Sequence, residues 1–203
     1  MRLIVLLPLL LLVAGCDRQK DAAPQANAAI EANTVIEANA ANDAAASASA
    51  QAGKGLDRSH DGQAAPDTVF KDPDGEDVDL KEYRGAPVLL NLWATWCAPC
   101  VKELPTLDAL ARSHKAGGAL AVVAVSQDSA PQGSVEAFLK AHAIATLGAY
   151  HDAGMNLAGA IDAQTLPTSV LYDASGHEVW RMVGDLDWNG ETAKRLLAEG
   201  TRK

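Results

Sequence analysis

The chain has few cysteines, little positive charge and no apolar run long enough to cross a membrane. Its 203 residues include 17 Lys and Arg against 26 Asp and Glu, which gives a formal net charge of −9 at pH 7. Such a charge repels phosphate groups, and no glycine-rich phosphate-binding motif is present, so no nucleic-acid partner is expected. The apolar run at residues 3–13 is too short for a spanning helix and is interrupted by Pro8.

The shortage of cysteine also limits the metal sites that the chain could form. Cys97 and Cys100 make a Cys-x-x-Cys pair, but the only other cysteine is Cys16, so the second pair of a typical zinc site is missing. The scattered histidines show no ligand spacing, so neither a metal nor another cofactor is expected. A purely structural disulfide across so short a loop would constrain the unfolded chain very little. The pattern therefore favours redox chemistry.

The position of the cysteine pair in the predicted secondary structure supports that interpretation. The largely apolar residues 88–93 predict a strand buried on both faces, and helix-forming residues follow the cysteines. Cys97 lies where strand becomes helix, and unpaired N–H groups and the helix dipole at such a point lower the pKa of a thiol. Cys100 lies one turn further on the same face, close enough to form a disulfide with Cys97.

A family resemblance rests on this stretch. Trp96-Cys97-Ala98-Pro99-Cys100, together with Pro105 and the downstream Leu-Pro-Thr at residues 166–168, resembles the thioredoxin superfamily. The longer string at residues 90–105 is similar to the TlpA/ResA/CcmG-like thiol-disulfide oxidoreductases of the bacterial envelope, and the likeness covers about residues 66–200. It implies an α/β thioredoxin fold in which helices flank a mixed central sheet. It also implies an N-terminal β-hairpin and a helix–strand insertion between Ser126 and Pro167. The short strand of that insertion is expected over residues 146–150.

The two cysteines are assigned different roles. Cys97 is expected to be the attacking thiolate, and Cys100 the resolving thiol that closes the Cys97–Cys100 disulfide and releases the partner. No cationic residue lies between them to hold the thiolate strongly, so the pair should be a weaker oxidant than dithiols with an intervening His. A dithiol whose disulfide is a weak oxidant donates electrons readily, so the pair is expected to act as a reductase.

The candidate group for proton transfer to Cys100 is Glu103. In thioredoxins a buried Asp lies six residues before the first cysteine, but here that position is Asn91, which cannot titrate. Residues 101–103 resemble the family segment that carries a functional Glu, and a carboxyl in a low dielectric could move protons near neutrality. Alternatively, Glu103 is a solvated first-turn residue that the helix dipole favours.

Four further residues are predicted to dock the partner. The resemblance implies that Leu166 and Pro167 form a cis-proline turn that lies against the cysteines and pairs with the partner's extended chain. From the residues alone, Pro167 could equally be a proline at the start of a strand. Trp96 and Pro99, beside the cysteines, are expected to contribute an apolar docking surface, whereas Trp93 should belong to the core.

The N-terminal third has a different composition. Arg2 and the apolar residues 3–13 are typical of an export signal, and residues 13–16 resemble the lipobox of bacterial lipoproteins. We therefore expect a lipoprotein signal peptide at 1–15, lipidation of Cys16, a low-complexity flexible tether at 16–65 and a thioredoxin-like domain at 66–203. An ordinary signal-peptidase site with a chance cysteine is the alternative. Asp17, directly after that cysteine, resembles the enterobacterial lipoprotein signal for retention in the inner membrane, so the inner membrane is the expected location.

These features predict a monomeric, membrane-tethered periplasmic thiol-disulfide reductase. The resemblance implies that it receives electrons from a membrane dithiol protein and reduces protein clients in cytochrome c maturation or in assembly of an oxidase copper site. The alternative is a copper-binding assembly factor on the same fold, but such factors usually have a Cys-x-x-x-Cys pair and a nearby His. A peroxiredoxin is disfavoured because its Pro-x-x-x-Thr-x-x-Cys pattern is missing.

Overall fold

The computed structural model describes residues 55–115 and 119–201. The expected signal peptide at 1–15, the expected lipidation site Cys16 and the expected tether as far as residue 54 lie outside the described residues. The helices that the structure describes include none that is long and apolar enough to span a membrane.

The described residues form eight strands and four α-helices. The strands are β1 (Gly55–Asp57), β2 (Phe70–Lys71), β3 (Asp77–Val78), β4 (Val88–Trp93), β5 (Ala121–Ser126), β6 (Tyr150–His151), β7 (Thr168–Tyr172) and β8 (Glu178–Val183). The helices are α1 (Ala98–Lys115), α2 (Gln132–Ala141), α3 (Asn156–Ala160) and α4 (Glu191–Leu197), with 3₁₀ helices at Leu80–Tyr83 and Ala198–Thr201.

All eight strands belong to one mixed sheet, in the order β1-β8-β7-β4-β5-β6-β2-β3. The β4–β5 and β5–β6 pairs are parallel, and the others are antiparallel. Every residue of β4 is buried, because the strand lies inside the sheet and has packed side chains on both faces. The predicted thioredoxin-like arrangement, with helices flanking a mixed sheet, is confirmed.

Successive side chains of β4 point to opposite faces of the sheet, and each face has its own hydrophobic core. Leu89 and Trp93 point to one face, where they belong to a core that includes Leu104 and Leu107 of α1. Leu90 and Leu92 point to the other face, where they share a core with Leu157 of α3. The site-bearing helix α1 therefore packs on one side of β4, and the short helix of the insertion packs on the other.

The N-terminal hairpin is also confirmed. Phe70 of β2 lies opposite Val78 of β3. In the turn between them, one carboxylate oxygen of Asp72 accepts hydrogen bonds from the backbone N–H groups of Asp74 and Glu76, both at 2.9 Å. Gly75 has φ 84°, a left-handed conformation that glycine adopts without a steric penalty.

The insertion between Ser126 and Pro167 is present as α2, β6 and α3. Its strand begins at Tyr150, whereas a strand was expected over residues 146–150. The buried carboxylate of Asp108 explains the difference, because one of its oxygens accepts hydrogen bonds from the N–H groups of Thr146 (2.6 Å) and Leu147 (2.9 Å). The backbone there is bonded to α1 and not to a neighbouring strand.

Described residues that precede the predicted domain boundary at Pro66 are bonded to the sheet. In β1, Gly55 pairs antiparallel with Val183. Further along, the Gly62 N–H donates to the Glu178 carbonyl at 2.7 Å, and the Glu178 N–H donates to the Gln63 carbonyl at 2.8 Å. Because these hydrogen bonds join backbone groups, they could not be predicted from the polar, low-complexity side chains of this segment.

Candidate active site

The cysteine pair lies at the N-terminus of α1, immediately beyond the end of β4. The Cys97 carbonyl accepts the Val101 N–H at 3.0 Å, which is the first hydrogen bond of the helix. The Cys100 N–H donates to the Cys97 Sγ at 3.3 Å, so a backbone donor of the first turn faces the sulfur. A sulfur placed there is well situated to carry negative charge, because these N–H groups have no partner within the helix.

Cys97 and Cys100 are joined by a disulfide, with their Cα atoms 5.3 Å apart. Cys97 is 6% exposed and Cys100 is fully buried. A partner can therefore approach the Cys97 sulfur more easily than the Cys100 sulfur. Attack by Cys97 and resolution by Cys100 require such an asymmetry, and these two roles stay predictions.

The loop before Cys97 is held by a buried carboxylate. Asp128, just after β5, is 4% exposed, and its two oxygens accept the Thr95 N–H at 2.9 Å and the Thr95 hydroxyl at 2.6 Å. Ser126 donates its hydroxyl to the same carboxylate at 2.7 Å. These bonds fix the chain between β4 and α1, and with it the approach to Cys97.

Glu103 is buried one helical turn after Cys100. Its side chain is 4% exposed, so the alternative of a solvated surface residue is wrong. The Asn91 side-chain amide donates to Oε1 at 2.8 Å. At Oε2, the Leu186 backbone N–H donates at 3.0 Å and the Trp188 indole N–H at 3.3 Å. The carboxyl is thus held by β4 and by the loop between β8 and α4.

Burial raises the pKa of Glu103 from 4.5 to about 7. The cause is removal of the carboxylate from water, which the hydrogen bonds from Leu186, Asn91 and Trp188 oppose without cancelling. Asp185 adds a smaller upward contribution through like-charge repulsion. A carboxyl with this pKa can both accept and return a proton near neutral pH.

An apolar groove of about 840 Å³ opens beside Cys97. Three of the predicted docking residues, Trp96, Pro99 and Leu166, line this groove. Trp96 is 67% exposed, so its ring is available to a partner. Trp93, by contrast, is buried in the core, as expected.

The fourth predicted docking residue, Pro167, does not line this groove. The Leu166–Pro167 peptide bond is cis, as the family resemblance implied. Pro167 itself is buried and is not among the residues lining the groove, while its carbonyl accepts the Gly184 N–H at 2.9 Å. The structure therefore brings Trp96, Pro99 and Leu166 to the groove but not Pro167.

Sequence reasoning missed two parts of the site. Met155, 49% exposed, and the neighbouring residues of α3 form another wall of the groove. Trp188 is the second missed residue, and its indole N–H donates to the Glu103 carboxylate. Neither lies near the cysteines in sequence, and no local pattern indicates either contact. A weak signal for Trp188 was that a buried indole N–H usually has a partner.

Among residues 55–115 and 119–201, no group of three or more His, Cys, Asp or Glu side chains could hold a metal ion. The site itself brings together two cysteines and a buried carboxyl.

Comparison with known proteins agrees with this geometry. The Redoxin family model matches residues 60–197. A thiol-disulfide oxidoreductase ResA of Bacillus cereus is 34% identical over 124 residues, which are 61% of this chain and 70% of that protein.

Solved structures show the same relationship. A candidate thiol:disulfide interchange protein DsbE from Chlorobium tepidum aligns with a TM-score of 0.60 and 29% identity, over 69% of this chain and 97% of the other. StoA from Bacillus subtilis aligns with a TM-score of 0.53 and 27% identity, over 66% and 98% respectively. Together with the buried carboxyl and the paired cysteines, these matches establish that the chain belongs to the Redoxin family and is a TlpA/ResA/CcmG-like thiol-disulfide oxidoreductase of the thioredoxin superfamily.

Proposed function

We propose that this protein is a periplasmic reductase of protein disulfides, tethered to the inner membrane through lipidated Cys16. The observation that carries the reductase assignment is the buried carboxyl of Glu103 one turn from Cys100, in a site with no cation between the cysteines. The lipobox-like residues 13–16 support the tether. The resemblance to ResA supports clients in cytochrome c maturation or in copper-site assembly, with electrons supplied by a membrane dithiol protein.

The first step is attack by the Cys97 thiolate on one sulfur of the client disulfide. A mixed disulfide forms between Cys97 and the client, and the second client sulfur leaves as a thiolate that takes up a proton. The groove formed by Trp96, Pro99 and Leu166 holds the client segment beside Cys97 during this exchange. The N–H of Cys100, directed at the Cys97 sulfur, stabilises the attacking anion.

The second step releases the client. The Glu103 carboxylate takes the proton of the Cys100 thiol, and the resulting thiolate attacks the Cys97 sulfur. The Cys97–Cys100 disulfide forms, the remaining client sulfur leaves as a thiolate, and protonated Glu103 returns the proton to it. The client gains two electrons and two protons, and the protein dithiol loses them.

Trapping in cells tests both the client and the tether. Cys100→Ser in the full-length chain should accumulate a mixed disulfide between Cys97 and its client in the membrane fraction, and reductant should release it. In the Cys16→Ala background, the same adduct should move to the soluble periplasmic fraction. The matched control is Cys97→Ser with Cys100→Ser, which should trap nothing.

Each part of the proposal has its own contrary result. Membrane retention of the Cys16→Ala protein would overturn the lipid tether. Clients that contain neither a haem-attachment cysteine pair nor a copper-site cysteine pair would overturn the proposed pathway. Failure of Cys100→Ser to trap any protein through Cys97 would overturn the reductase mechanism itself.

A further inference from the structure

We propose that Trp188 is a positioning residue for proton transfer: its indole N–H holds the carboxyl of Glu103, which lies one helical turn after Cys100. This inference rests on the proposed function, because it assigns Trp188 a part in the resolving step. Trp188 touches neither sulfur in the described contacts, so it would act through Glu103 and not on the client.

The first observation is the way in which the β8–α4 loop is tied to α1. The Trp188 indole N–H and the Leu186 backbone N–H both reach Oε2 of Glu103, at 3.3 and 3.0 Å. The Trp188 backbone N–H donates to the Thr106 hydroxyl oxygen at 3.3 Å, and that hydroxyl donates to the Glu103 carbonyl at 2.9 Å. Trp188 is therefore bonded to the Glu103 segment through both its side chain and its backbone.

The second observation comes from the other buried tryptophans. Trp93, Trp180 and Trp188 are each 1% exposed or less. The Trp180 indole N–H donates to a backbone carbonyl, that of Leu196, at 3.0 Å, and the Trp93 indole N–H has no partner among the described residues. Of the three, Trp188 alone directs its donor at a titratable group. The Trp188 N–H therefore acts on the Glu103 carboxyl, an effect that burial of the ring alone would not produce.

That consequence depends on every charged or titrating group that faces Glu103. Asp185, in the same loop, disfavours the ionised carboxyl, and Lys102 of α1 lies 2.9 Å from Asp185 and partly offsets its charge. After reduction, the Cys100 thiol one turn away becomes a further acid. Against burial and these charges, the donors on Oε2 favour the carboxylate and fix its orientation. Without the Trp188 donor, Glu103 should stay protonated to higher pH and accept the Cys100 proton less readily.

The test compares Trp188→Phe with Trp180→Phe, which is an equally buried Trp whose donor does not reach Glu103. The full-length oxidised protein is labelled with ¹³C at the glutamate side-chain carboxyl, and Glu103 is titrated by NMR while neither active-site cysteine can titrate. Loss of one hydrogen bond should raise the pKa of Glu103 by about half to one unit in Trp188→Phe. Trp180→Phe should leave it unchanged.

The rate of the resolving step provides the second readout. With a small mixed disulfide preformed on Cys97, the pH profile of its resolution by Cys100 should shift upward in Trp188→Phe to match the carboxyl titration. In the Glu103→Gln background, Trp188→Phe should produce no further shift. If Trp188→Phe does not fold, benzothienylalanine at position 188 replaces the N–H by sulfur and keeps the ring shape.

The outcomes separate this inference from the proposed function. An unshifted Glu103 titration in Trp188→Phe and in the benzothienylalanine protein would overturn the role of Trp188, although exchange by wild type would still support a reductase. Equal shifts of the Glu103 pKa in Trp188→Phe and Trp180→Phe would also overturn it, because the shift would then come from a general loss of core packing. Absence of any exchange by wild type would overturn the proposed function, whatever the titration gives.

Discussion

At the scale of single residues, the site is organised by one buried carboxyl. Glu103 lies one turn from Cys100, is shielded from water, and receives donors at both of its oxygens. Its pKa is raised to about 7 because burial outweighs those donors. The folded protein therefore keeps a proton on Glu103 at pH values at which the unfolded chain has lost it, and this difference links stability to pH.

The oxidised protein should lose stability as pH rises from about 4.5 to about 7. Over that interval the unfolded state binds fewer protons than the folded state, so the free energy of unfolding falls. A shift from 4.5 to about 7 corresponds to about 3 kcal/mol at 1.36 kcal/mol per pKa unit. Glu103→Gln should remove most of this dependence, as measured by urea denaturation across the interval.

The control for that experiment is Glu136→Gln, which changes an exposed glutamate on α2 by the same chemistry. It should keep the wild-type pH dependence. Equal pH dependence in Glu103→Gln and in wild type would show that the Glu103 carboxyl titrates at an ordinary pKa and that burial does not control it.

Sequence reasoning reached part of this residue-scale description. It identified the cysteines, Glu103 and the non-titrating Asn91, because all four lie within one short stretch. It could not decide whether Glu103 faces water or the interior, because a turn of three residues allows either direction. Contacts from Leu186 and Trp188, more than eighty residues away, decide it.

At the scale of secondary-structure elements, the redox site depends on the junction between β4 and α1. Asp128 at the end of β5 bonds the Thr95 backbone and hydroxyl, and β5 is held in parallel register with β4. The chain before Cys97 is therefore fixed by the neighbouring strand and not by its own sequence alone. The consequence is that a substitution thirty residues from the cysteines should disturb the site.

Asp128→Ala should lower the free energy of unfolding by about 2–4 kcal/mol, because it leaves the Thr95 N–H and hydroxyl and the Ser126 hydroxyl without their buried acceptor. Asp128→Asn should cost less, about 1 kcal/mol. Its remaining oxygen can still accept two of these donors, and its amide can donate to the Thr95 hydroxyl oxygen. Urea denaturation at one pH measures both. If Asp128→Asn lowers the free energy of unfolding as much as Asp128→Ala does, these hydrogen bonds do not hold the loop as described.

Most of the secondary-structure elements could be predicted from the sequence, but two features could not. The buried strands, the hairpins and α1 follow from local apolar patterns, which the packing then satisfies on both faces of the sheet. The strand β1 was missed because its three residues pair with β8 through backbone bonds, while its flanking sequence resembles a tether. The wall of the groove that α3 provides was also missed, since its position depends on how the whole insertion packs.

At the scale of the whole molecule, an acidic chain has a groove without charged side chains beside its redox site. The formal net charge is −9, yet none of the residues that line the groove beside Cys97 is an acid or a base. The Cys97 thiolate is thus stabilised by helix-terminal N–H groups and by no neighbouring cation in the Ala98-Pro99 segment. A thiolate with limited stabilisation favours the disulfide form and makes the reduced protein a good electron donor.

The reduction potential of the Cys97–Cys100 pair tests this account most directly. It is measured by equilibrating the protein with glutathione or dithiothreitol buffers. The Cys16→Ala background is used so that Cys97 and Cys100 are the only cysteines that can react. We expect a midpoint well below that of the strong oxidant DsbA, about −120 mV, and closer to that of thioredoxin, about −270 mV. A midpoint near about −120 mV would contradict the assignment of this protein as a reductase.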